Sequence, residues 1–136
     1  MSKIQALREF IFNCPLIDTL LEDIHVDATE ESPVNYGIMP TGEVILKKYI
    51  TGGCQKQYDA VFYIRDCTID DYERIENSEF LENFTDWIET KNSNEELPEI
   101  DNIESISCNN GMLFDLSEDG MTGLYQLQLQ VIYRKD

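Results

Sequence analysis

The chain has 136 residues, with 27 Asp and Glu against 10 Lys and Arg and a formal net charge of −17 at pH 7. That balance argues against general DNA or RNA binding, which needs clustered cations against phosphate, and against docking on anionic membranes. With 42% hydrophobic residues, residues 1–136 suit a single domain that buries a core without staples. The charge itself reads either as solubility or as a surface that repels nucleic acid or pairs with a basic partner.

Ser2 is placed to cap a first helix, on which Ile4, Leu7, Phe10, Ile11 and Cys14 fall on one face. Pro15 should end or bend it. Leu16, Ile17, Leu20 and Leu21 then continue toward the core as a short helix or an extended lead-in. Glu9 interrupts the apolar stretch, so the N-terminus does not read as a secretory signal, and no run is long enough to span a bilayer. The expectation is an intracellular protein.

His25 to Pro33 reads as an acidic turn region with Asp27, Glu30 and Glu31. A short strand over Val34–Met39 follows, then a turn at Pro40-Thr41-Gly42 and a second strand over Glu43–Ile50. Gly52-Gly53 marks a hairpin turn that needs positive φ. The strand Gln57–Arg65 sets Tyr58, Ala60, Phe62 and Ile64 on one face and Asp59, Val61, Tyr63 and Arg65 on the other. Bulky residues on both faces predict a central strand, or one whose second face meets a partner.

Asp70 and Asp71 open a helix running to about Lys91. Phe80, Phe84, Trp87 and Ile88 form its apolar stripe, widened by Leu81, while Glu79, Glu82, Asp86 and Glu89 lie opposite. Asn92 to Asn102 is a polar loop. Strands follow over Ile103–Cys108 and Met112–Leu116, with turns at Asn110-Gly111 and Asp119-Gly120. Along Leu124–Arg134, Tyr125, Leu127, Leu129, Val131 and Tyr133 alternate with Gln126, Gln128 and Gln130, as a half-buried strand should. The predicted fold is α+β: an antiparallel sheet with two main helices packed on one face.

No pattern carries catalytic chemistry. Asp70-Asp71 reads as a helix start. Asp115, Glu118 and Asp119 lack the spacing of a calcium loop. His25 is the only histidine, and no serine or cysteine sits in a nucleophile context. Cys14, Cys54, Cys67 and Cys108 lack zinc-site spacing and are expected to be reduced. A Cys54–Cys67 bridge is conceivable if the two lie on facing strands. Gly52-Gly53 is not a phosphate loop, because no helix begins after it. The expectation is no enzyme activity, no cofactor and no metal.

Lys47, Lys48, Lys56 and Arg65 make Val44–Arg65 locally basic in an acidic chain. They either guard strand edges or meet acidic patches on another copy. Tyr49, Gly52, Gly53, Lys56, Tyr58 and Arg65 are the candidate subunit-interface residues.

The run KKYITGGCQKQYDAVFYIR resembles a Tyr-x-x-Gly-Gly-x-x-(Lys/Arg)-Gln-(Tyr/Phe) segment of small tail-associated proteins of siphophages and prophages of Gram-positive bacteria, often labelled minor capsid proteins. SKIQALREFI with its CPLI exit, ENFTDWIE followed by LPEI, and the closing QLQLQVIYRK are similar too. The resemblance is to tail terminators, also called tail-completion or head–tail joining proteins. It implies an α+β subunit that closes into a ring, commonly a hexamer, between the tail-tube protein and the head-completion or connector protein. It also implies a place in the virion neck after assembly in the host cytoplasm, with DNA passing an acidic lumen without specific binding, and no catalytic residues. The rival expectation from charge alone is a small acidic binding or inhibitor protein, such as a nucleic-acid mimic.

Overall fold

The computed structural model describes residues 2–17, 24–26, 35–68 and 70–136. Its elements are α1 (Lys3–Phe12), β1 (Ile24–Val26), β2 (Asn35–Lys48), β3 (Cys54–Cys67), α2 (Asp71–Ser93), β4 (Ile103–Leu116) and β5 (Thr122–Lys135). The expected features at Leu20, Leu21, Asp27, Glu30, Glu31, Pro33 and Val34 lie outside the described residues.

Both helices begin where side chains can satisfy their first free N–H groups. The Ser2 hydroxyl accepts from the Gln5 N–H at 3.2 Å, and the Asp70 carboxylate accepts from the Glu73 N–H at 2.9 Å. α1 stops at Phe12 with Asn13 as its cap, two residues ahead of Pro15. Cys14 and Ile17 are nevertheless buried beyond its end.

The strands form a five-stranded mixed sheet in the order β1-β2-β3-β5-β4, so the fold is α+β. A purely antiparallel sheet was expected. Instead β1 pairs with β2 in parallel, Ile24 beside Tyr36 and Val26 beside Ile38, so His25 lies in a strand rather than a turn. β3 and β5 occupy the middle and pair along their whole lengths, from Cys54 with Lys135 to Cys67 with Thr122.

Two expected turns are bulges inside continuous strands. β2 runs through Pro40-Thr41-Gly42 with only a register shift against β3, and β4 runs through Asn110-Gly111 with a shift against β5. Gly111 suits that place because a Cβ there would stand 2.8 Å from Leu127 Cδ2 and 3.4 Å from Leu81 Cβ. The turn at Asp119-Gly120 does form, with Gly120 at φ +69° and the Asp119 carboxylate accepting from Ser117 Oγ at 2.6 Å and the Met121 N–H at 3.0 Å. Those bonds hold the Asp119 carboxyl below its ordinary range.

Period-two alternation in β3 and β5 turns Ala60, Phe62, Ile64, Leu127, Leu129 and Val131 into one buried face. Leu7 and Ile11 of α1 and Leu81, Phe84 and Ile88 of α2 join the same cluster. Phe84 is fully buried against Phe62, ring centroids 5.0 Å apart. Phe80 and Trp87 of the expected stripe pack around it only partly buried, Trp87 reaching Phe10 of α1 at 5.0 Å. The alternate residues Asp59, Tyr63, Gln126, Gln128 and Gln130 stay partly exposed.

Candidate functional site

β2 and β3 are joined by a hairpin turn at the end of the sheet where Lys48 pairs with Cys54 and Cys54 with Lys135. Tyr49 to Gly53 close it: the Tyr49 N–H donates to the Gly53 carbonyl at 3.1 Å and the Gly52 N–H to the Tyr49 carbonyl at 3.2 Å. Gly52 and Gly53 have φ of +99° and +82°, the left-handed geometry expected of them. Gly53 is constrained twice, since a Cβ there would meet the Lys135 carbonyl at 2.8 Å. The Tyr49 ring receives Arg134 at 4.8 Å and Lys47 at 5.6 Å, which fixes the turn to the end of β5.

At the base of the hairpin, Glu43 gathers three elements. Tyr133 Oη donates to Glu43 Oε2 at 2.7 Å, Lys56 Nζ donates to Oε1 at 3.2 Å, and Lys3 Nζ stands 3.9 Å away. Lys3 also lies over the rings of Tyr133 and Tyr58, at 4.8 and 5.9 Å. Burial alone would raise the Glu43 carboxyl, but the bonds from Tyr133 and Lys56 and the charges of Lys3 and Lys56 outweigh it and hold it below its ordinary value. Tyr133 is pushed up in turn, by burial first and then by Glu43.

The six candidate interface residues do not share one surface. Tyr49, Gly52 and Gly53 sit together at the tip. Lys56 is committed to Glu43, and Tyr58 packs against the core under Lys3. Arg65 lies at the far end of β3, beside Asn35 and Leu124, and its buried Nε has no hydrogen-bond partner among the described residues.

Sequence reasoning did not single out the side chains that dominate this surface. Val44, Ile45 and Leu46 are 49%, 52% and 46% exposed, so neither face of β2 is covered there, and Ile50 is fully exposed. Among the described residues nothing pairs with the outer edge of β2 beyond Ile38. That edge carries Pro40, two bulges and two lysines, all features that discourage another strand from adding. A second exposed apolar group, Met112, Leu113, Phe114, Leu116 and Met121, lies along the end of β4 and its turn. The only available signal was that Val44–Leu46 is apolar without alternation.

Between α2 and this end of β4 lies a cleft of about 520 Å³, walled by Ser78, Glu82 and Asp86 on the helix and Met112 and Leu113 on the strand. α2 holds seven carboxylates and two cations in its sequence. Across Val44–Lys56 there are three lysines and no carboxylate.

No group of three or more His, Cys, Asp or Glu side chains able to hold a metal occurs among the described residues. The Cys108 thiol is pushed up to about 11 by burial, the Thr85 hydrogen bond opposing this and the Glu89 charge adding to it, so at neutral pH it is not a thiolate nucleophile. Cys54 and Cys67 open and close the same strand, about 40 Å apart at the rise of an extended chain, and cannot bridge within one molecule. No helix among the described residues is long and apolar enough to cross a membrane. No protein-family model matches the chain, and no curated protein is significantly similar to it.

Proposed function

We propose that the protein is a self-assembling structural subunit of the tail-terminator or neck type, closing into a ring between the tail tube and the head of a phage or prophage particle. The observation that carries the self-assembly reading is the β2–β3 hairpin, which projects Val44, Ile45, Leu46 and Ile50 into solvent without a partner. A monomeric protein seldom leaves so many adjacent large apolar side chains bare. Complete burial of such a side chain is worth roughly 1.5–3 kcal/mol; Val44, Ile45 and Leu46 are already about half covered, so covering them adds a part of that each, and Ile50 the most.

The particular ring, its tail-tube and connector partners and its place in the neck rest on the motif resemblance. Two helices layered on one sheet face, with the glutamine-bearing face left open, is the subunit form this reading needs. A net charge of −17 suits a lumen that lets DNA slide without sticking.

The carboxylate-rich outer side of α2 favours a second reading, an acidic protein that occupies a basic partner as nucleic acid would. Negative-stain imaging of the purified protein separates the two. Closed rings support the ring subunit; single particles without rings at every concentration, together with tight binding to a basic enzyme, support the acidic mimic.

A further inference from the structure

The two exposed apolar groups cannot meet within one chain. The order β1-β2-β3-β5-β4 sets β2 and β4 on opposite sides of the central pair. Lys48 lies level with Cys54 and Lys135 at one end of the sheet, whereas Leu116 lies level with Gly123 and Asp66 at the other. Hairpin tip and α2–β4 cleft therefore occupy diagonally opposite corners.

We infer that the hairpin tip of one copy seats in the α2–β4 cleft of the next; this rests on the self-assembly reading above and names its contact. The chemistry of the two corners is complementary. The cleft has an apolar wall of Met112 and Leu113 and an acidic wall of Glu82 and Asp86, with Arg74 also lining it and donating from Nε to the Thr68 carbonyl at 3.1 Å. The tip presents Ile45, Leu46 and Ile50 beside Lys47 and Lys48. Aliphatic side chains meet the strand wall and lysines meet the helix wall. Because β2 is guarded against strand addition, the contact is made by side chains and not by extending the sheet. A contact between two different patches is heterologous, so it repeats from copy to copy and closes into a ring where the rotation permits.

The test uses native mass measurement on the full chain and two variants at surface positions. Ile50→Asp disables the tip, and Glu82→Lys with Asp86→Lys disables the cleft. Where wild type assembles, each variant alone should be monomeric with unchanged far-ultraviolet circular dichroism. An equimolar mixture of the two should give a one-to-one heterodimer and nothing larger, since it restores a single intact tip–cleft pair. Adding Lys47→Glu and Lys48→Glu to the cleft variant should restore assembly. Wild-type assembly that both variants retain, or a mixture that builds larger species, overturns the tip–cleft contact while leaving self-assembly standing. A wild type that stays monomeric at every concentration overturns self-assembly itself.

Discussion

Tyr133 donates its hydroxyl to Glu43 at 2.7 Å, joining the end of β5 to the hairpin across ninety residues of sequence. Lys56 holds the other carboxylate oxygen at 3.2 Å. The β2–β3 hairpin is thus tied to β5 at Glu43, below its exposed turn. Glu43→Gln keeps the shape and removes the charge. Because the Lys56 contact is exposed and the Gln amide oxygen can still accept a bond, it should cost about 0.5–1.5 kcal/mol, seen as a lower urea midpoint at unchanged slope.

The same pair sets a pH window. The folded-state value of Glu43 lies below the ordinary 4.5, so its contribution is present above that value and is lost as pH falls through the folded value. The folded-state value of Tyr133 is raised, so its contribution is present below the ordinary 10.0 and is lost as pH rises further. The stability gap between wild type and Glu43→Gln should therefore shrink below about pH 4.5, and Tyr133→Phe should remove part of the alkaline loss above about pH 10. Chemical denaturation across pH measures both.

The turn glycines should differ in cost. Gly52→Ala meets open space and bears only the strain of positive φ, about 1–2 kcal/mol. Gly53→Ala bears that strain and drives its methyl into the Lys135 carbonyl, so it should be the more destabilising of the two. Thermal melts of the pair are the comparison.

In the core, Phe84→Ala should cost about 3–5 kcal/mol, because the ring is fully buried between Phe62, Phe80 and Trp87. Trp87→Ala should cost less despite the larger side chain, since Trp87 is only partly buried. Equilibrium unfolding of both variants ranks them; the reverse order would mean that the α1–α2 contact through Phe10 outweighs the sheet contact.

Much of the scaffold was legible in the residues. The Phe80-Phe84-Trp87-Ile88 stripe and the alternation from Tyr125 to Val131 each repeat with one period only, so the elements were determined locally. Asp70 and Ser2 announced the helix starts by their capping chemistry, and Gly52-Gly53 announced the hairpin.

What was not legible depends on pairing across the chain. Pro40-Thr41-Gly42 and Asn110-Gly111 look like turns because turns and bulges draw on the same residues; only β3 and β5 running alongside make them bulges. Ile24–Val26 is too short to signal itself and is a strand only because Tyr36–Ile38 lies beside it. At the candidate surface, tyrosine, lysine and arginine stood out against an acidic background. Lys56 proved to be internally paired, however, and the bare apolar residues Val44, Ile45, Leu46 and Ile50 had read as ordinary strand. Composition shows that a residue is apolar; only the fold shows that nothing covers it.

Sedimentation velocity of the purified wild-type chain over a wide concentration range tests the central claim most directly. Self-assembly through the β2–β3 hairpin predicts a single large species of fixed size in equilibrium with monomer, shifted to monomer by Ile50→Asp. A monomer of 15.8 kDa at every concentration would contradict it.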